Sequence, residues 1–232
     1  MAARGLVHAV GGARGRGGTA AARRVLKTPP YRIVTERLVV RCWEPADAPL
    51  FKRAVDASLD HLRPWMPWAL REPEPLAAKV DLLRRFRGQF DLGEDFVYGI
   101  FTRDENAVAG GTGLHTRRGE GAFEIGYWIA ADLAGRGLAT EVTAALTRVA
   151  FEVCEVERVE IRVDPANAAS IAIPRRLGFV EEGTLRKVLH GPDGTPRQRD
   201  AVVFALVRDE FGGSPASAAA LEAFDAAGGR VL

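Results

Sequence analysis

One short run, AGRGLATE at 134–141, limits this chain more than any other feature. It joins the alternating segment FEIGYWIA (123–130) to a stretch with helical spacing, Leu138, Val142, Ala145, Leu146, Val149 and Val153. Its glycines therefore fall where a strand gives way to a helix of about fifteen residues from Gly137. Glycines in such a place let backbone N–H groups face an anion, and a helix N-terminus adds a partial positive charge. The run is neither G-x-x-x-x-G-K-[ST] nor G-x-G-x-x-G, so the main nucleoside-triphosphate and dinucleotide signatures are absent. On these residues alone, a phosphate-bearing ligand and a plain strand-to-helix turn both stand.

Composition narrows the classes around that motif. In 232 residues, 47% are hydrophobic and 27% charged, the proportions of a globular protein. The two cysteines, Cys42 and Cys154, lie far apart, which excludes a disulfide scaffold and fits a reducing compartment, so a cytoplasmic location is expected. Histidines 8, 61, 115 and 190 show no ligand spacing, and no metal site is expected. The net charge of +2 conceals an asymmetry: residues 1–35 hold seven Arg or Lys and no acid. The remainder carries 25 basic against 30 acidic groups, so nucleic acid is an unlikely partner of the body.

Residues 1–30 are rich in Gly, Ala and Arg, lack an apolar core segment and end at Pro29-Pro30. They read as a disordered basic extension or the product of an early start codon, with no secretory signal and no membrane span. Strand-like segments are expected at 36–44, 96–102, 107–116, 122–130, 156–163, 179–189 and 200–207. Helical ones are expected at 47–58, 75–90, from 137, and at 167–177. Three meander strands, helix, strand, helix and hairpin describe a mixed α/β sheet. Residues 212–232 open on breakers and turn Ala-rich, which reads as a tail with at most one short helix. The domain is thus expected over 31–211.

Several separated motifs, in order, resemble the GNAT superfamily of acyl-CoA-dependent N-acetyltransferases. They are TERLVVRCWEPADA, HLRPWMPWA (61–69), FEIGYWI, AGRGLATE, N-x-x-S at 167–170, R-x-L-G-F and GTPRQRDAVVFAL, spanning about 33–211. Within it, the chain looks most like the RimJ/RimL branch that acetylates ribosomal-protein N-termini. The resemblance implies an α/β (α+β) GNAT fold: a mixed sheet of about six to seven strands and about four helices, splayed at the acyl-CoA site. It implies acetyl transfer from acetyl-CoA, with no metal, to a primary amine by direct attack in a ternary complex. A protein N-terminus is the leading acceptor. A small amine (aminoglycoside, polyamine or amino acid) is the alternative, and a CoA-binding module without catalysis the third reading. A homodimer is common in the family.

The same resemblance assigns residues. The loop Gly135, Arg136, Gly137, Leu138, Ala139 and Thr140 is expected to hold the pyrophosphate; Ala134 stands where the family has Gln or Arg, with Arg136 a nearby cation. Ile129 marks the strand backbone beside the thioester, Asn167 meets the pantetheine arm, and Arg175 or Arg176 faces the 3′-phosphate. Many relatives use a Tyr four residues before the Gly of L-G-F; here that position is Pro174, and Tyr31, Tyr98 and Tyr127 are all elsewhere in sequence. Ser170 is therefore expected to contact the leaving thiolate. Glu124 is the expected base, with water or Glu141 as rivals and ion pairing to Arg117 or Arg118 as the plainer role. Trp65 and Trp68, in the Trp- and Pro-rich HLRPWMPWA, are expected to form a lid over the acceptor, with an aromatic plug on the core as the alternative.

Overall fold

The computed structural model describes residues 27–191 and 193–232. Strands are β1 (Arg32–Val34), β2 (Leu38–Cys42), β3 (Phe96–Thr102), β4 (Val108–His115), β5 (Ala122–Ile129), β6 (Arg158–Val163), β7 (Val180–Leu189), β8 (Arg199–Val207) and β9 (Glu222–Phe224). Helices are α1 (Ala48–Asp56), α2 (Leu59–Leu62), α3 (Leu76–Asp91), α4 (Leu138–Glu152), α5 (Ala168–Arg176) and α6 (Arg208–Phe211). Among the described residues one sheet runs β7-β8-β6-β5-β4-β3-β2-β1-β9. Every neighbouring pair is antiparallel except β5–β6.

Strand alternation sorts the core onto two faces. Leu38, Val40, Tyr98, Ile100, Phe123 and Ile125 pack with Val142, Leu146 and Val149 of α4. On the opposite face Val39, Trp43 and Phe101 pack with Phe51 and Val55 of α1 and Leu83 of α3. The ten buried residues of α4 explain its expected length and stripe.

Two expectations at the ends need correction. Residues 212–232 are not a tail: Pro215–Ala218 form a 3-10 turn and β9 pairs antiparallel with β1. Ala216 and Ala223 are fully buried, and Arg148 Nη1 donates to the Ala219 carbonyl at 2.9 Å. Alanine runs carry too little amphipathic contrast to announce such a strand. At the other end, residues 1–26 of the expected extension lie outside the described residues, but Pro29 and Pro30 are buried, and the Tyr98 hydroxyl donates to the Pro30 carbonyl at 2.8 Å.

Candidate active site

β5 and β6 pair over only three positions, Ala122↔Arg158, Phe123↔Val159 and Glu124↔Glu160. Beyond Glu124 the β6-facing edge of β5 has no strand partner among the described residues, although β4 still pairs β5 through Ile129. Unpaired backbone in a sheet interior calls for another hydrogen-bonding chain. A cavity of about 720 Å³ opens here, lined from β5 by Gly126, Tyr127 and Trp128, from β6 by Ile161 and Val163, and beyond them by Asn167 and Ser170.

At the end of β5 the expected loop turns into α4. Gly135 and Gly137 have φ of +75° and +78°, the left-handed region that suits glycine, and Gly137 is the N-cap of α4. A Cβ on Gly135 would meet nothing within 4 Å, and one on Gly137 only the Arg37 guanidinium at 3.6 Å. The loop thus leaves the first N–H groups of α4 approachable, as a pyrophosphate requires. Leu138 is buried in the core, while Ala139 and Thr140 are half-buried. Arg136 is exposed and donates to the Asp132 carbonyl at 2.8 Å. Glu141 is committed elsewhere: it accepts from Thr35 Oγ1 at 2.6 Å, Arg37 N at 3.0 Å and Arg37 Nε at 2.6 Å. Burial pushes its carboxyl up, but these bonds outweigh it and hold the group below the ordinary range.

α5 supplies the next groups. Asn167 caps it, its Oδ1 accepting from Ser170 N at 3.0 Å. Ser170 Oγ donates to the Tyr127 hydroxyl oxygen at 3.3 Å, and that hydroxyl donates to the Ser170 carbonyl at 3.3 Å. Tyr127, distant in sequence, is thus brought to Ser170 by β5. Burial pushes its phenol up to about 12, against the opposing pull of Ser170, so it stays a proton donor. The two arginines part company. Arg175 pairs with Glu181 at 2.8 Å and lies over Phe204. Arg176 instead reaches Thr140 Oγ1 at 3.4 Å, next to the glycine loop.

The other sheet face forms the far wall. Register places His115 opposite Glu124, Gly113 opposite Gly126 and Gly111 opposite Trp128, all on the α1 face. Trp68 meets Trp128 edge-on with ring centroids 5.9 Å apart, and Trp65 lines the same cavity. Arg199 Nη1 ties this segment down, donating to the Pro64 carbonyl at 2.9 Å while pairing with Asp164 at 2.7 Å. Glu124 is buried, and one oxygen accepts from Arg117 at 2.8 Å while the other takes the Arg118 guanidinium. Arg162 lies 3.7 Å away. Both oxygens are therefore occupied, which fits the plainer anchoring role better than a free base. No group of three or more metal-ligating side chains occurs among the described residues.

A β5 edge that β6 leaves unpaired and the Ser170–Tyr127 hydroxyl pair line one cavity, and β5 runs on from it to the glycine turn at the start of α4. The acetyltransferase (GNAT) domain family matches residues 37–180. The chain belongs to the GNAT acetyltransferase family. It is an acetyl-CoA-dependent N-acetyltransferase. It is 29% identical over 190 residues to the [ribosomal protein uS5]-alanine N-acetyltransferase of Escherichia coli, covering 79% of this chain and 94% of that one. Mycobacterium smegmatis RimJ, solved with CoA-disulfide, is 28% identical with a TM-score of 0.68, covering 81% and 90% of the two chains. RimL, the ribosomal L7/L12 α-N-protein acetyltransferase solved with coenzyme A, shares the GNAT fold at 21% identity and TM-score 0.67, covering 76% and 97%.

Proposed function

We propose that this GNAT enzyme acetylates the N-terminal amino group of a protein or peptide by direct attack in a ternary complex. The observation that carries the reading is the state of the acids lining the cavity. Glu72 and Glu74 are held by Lys79, Asp95 by His115, Glu124 by Arg117 and Arg118, and Asp164 by Arg199. Four of these five carboxylates are ion-paired to lysine or arginine, and only Asp95 is held by a hydrogen bond alone, so the wall offers no group of free acids to the several cations of a polyamine or aminoglycoside. A peptide N-terminus brings one ammonium and otherwise backbone and side chain, which suits a wall built from Trp65, Trp68 and Trp128. The uS5-alanine activity in the name of the Escherichia coli relative agrees in class.

In this reading the loop 135–140 holds the pyrophosphate through main-chain N–H groups, with Arg176 nearby. Asn167 and the open β5 edge near Ile129 guide the pantetheine arm. The Ser170–Tyr127 hydroxyls meet the sulfur as the thiolate departs. Acetyl-CoA turnover, read as thiol release, would be compared across N-terminal peptides and a panel of polyamines, aminoglycosides and amino acids. A peptide is expected to give the highest kcat/KM. A small polycation exceeding every peptide by tenfold overturns the assignment of the acceptor. Coenzyme A binding without turnover on any amine overturns the transfer reading.

A further inference from the structure

One ring nitrogen of His115 has no hydrogen-bond partner among the described residues in this cleft, which His190 also lines from beyond β7. Both Asp95 oxygens lie 3.0 Å from His115 Nδ1. A carboxylate there accepts a hydrogen bond from Nδ1–H, and in the neutral ring this selects the tautomer with Nε2 unprotonated. Glycines make room for the ring: a Cβ on Gly113 would stand 2.9 Å from Nε2, and one on Gly126 3.3 Å from it. The imidazole therefore lies flat across β4 and β5, with Nε2 over Gly126, two residues past the last β5–β6 pair. The next residue, Tyr127, points to the opposite face and meets Ser170. Hydroxyls at the sulfur and a bare imidazole nitrogen thus flank the parting of the strands from its two sides.

We infer that His115, oriented by Asp95, is the general base that deprotonates the acceptor amine. Nε2 takes one proton from the ammonium and passes it to solvent. The freed lone pair forms the N–C bond at the thioester carbon, and the C–S bond breaks with its electron pair on sulfur. The nitrogen loses its second proton, which solvent returns to the sulfur through the Tyr127–Ser170 hydroxyls, so amide and thiol leave. Nε2 stands over Gly126, beside the β5 edge that β6 leaves unpaired. Glu124, by contrast, has both oxygens held by guanidinium groups.

The charged groups around His115 are Asp95 ahead of β3, Glu124 on β5 with Arg117 and Arg118, and Arg162 on β6. Arg85 on α3 and the Lys79-held Glu72 and Glu74 line the same cavity.

The inference rests on the acetyl-transfer reading, and the experiment separates the two. Thiol release would be followed against pH for wild type, His115→Gln, His115→Ala and Asp95→Asn, with coenzyme A binding and circular dichroism measured on each. His115→Gln is expected to lose about 10²-fold in kcat, with coenzyme A affinity within twofold and the lower limb of the pH–rate profile removed. Added imidazole is expected to restore part of the His115→Ala rate. Asp95→Asn, which keeps the ring but frees its tautomer, is expected to lower kcat and alter the same limb. A folded His115→Gln enzyme with near wild-type rate and an unchanged pH profile overturns the assignment. So does a lower limb that vanishes in Glu124→Gln and persists in His115→Gln. Wild-type protein that binds coenzyme A yet turns over no amine overturns the transfer reading itself.

Discussion

Gly137 caps α4 with a φ of +78° that would strain any side chain. In the proposed reading the same backbone meets the pyrophosphate. Gly137→Val is expected to raise the acetyl-CoA dissociation constant at least tenfold, about 1.4 kcal/mol, as titration calorimetry would show. The surrounding space is open, so the variant should still fold. Tyr127 matters for another reason: it is a hydroxyl kept protonated by burial beside Ser170. Tyr127→Phe is expected to lower kcat by roughly tenfold or more while acetyl-CoA affinity barely moves, and Ser170→Ala should act the same way. A double variant no worse than either single one would show that the hydroxyls work as a pair. Alternation along β5 puts Tyr127 on the face opposite Glu124 and Gly126. What it could not indicate was the chain waiting on that face, since Ser170 is 43 residues away.

At the scale of elements, the start of α4 is fastened to the turn between β1 and β2 by Glu141, through Thr35 and Arg37. This carboxylate holds a first-turn position where its charge also favours the helix dipole. Its folded-state carboxyl lies below the unfolded value of 4.5, so its contribution is complete above that value. It is lost as pH falls through the folded value. Chemical denaturation across the acid range should show wild type losing stability on acidification more steeply than Glu141→Gln. Near neutrality the variant should be less stable by about 1.5–3 kcal/mol, the usual worth of hydrogen bonds to a charged group. A second element, the Trp65–Trp68 segment, is strapped across the cleft by Arg199 from β8. Its Trp- and Pro-rich sequence marked it as unusual, but which wall it covers depends on a strand 135 residues away from Pro64.

For the whole molecule, residues 212–232 close the sheet edge and cover the end of α5. β9 pairs with β1, and Pro215 packs against Gly178, where a Cβ would lie 3.0 Å from it. Leu221 and Leu232 add to the α4-side core. Deleting 212–232 is expected to cost at least about 2 kcal/mol, roughly 4–8 °C in Tm, by calorimetry or thermal circular dichroism. An unchanged Tm would mean that this segment adds nothing to the core. Elements with a strong local period were legible from the chain: α4 from its stripe, β3 to β6 from alternation, and the 134–141 loop from glycines between them. Those signals sit within a few residues of each other, where backbone sterics and amphipathic contrast act. The partners of His115 and Tyr127 could not be read that way: Asp95 meets His115 from 20 residues away and Ser170 meets Tyr127 from 43. Arg117 and Arg118 were within local reach of Glu124, and only the fold adds Arg162 from β6. A side chain's charge and reach are written in the sequence, but whether its lone pair or proton is free is settled by what the fold packs against it.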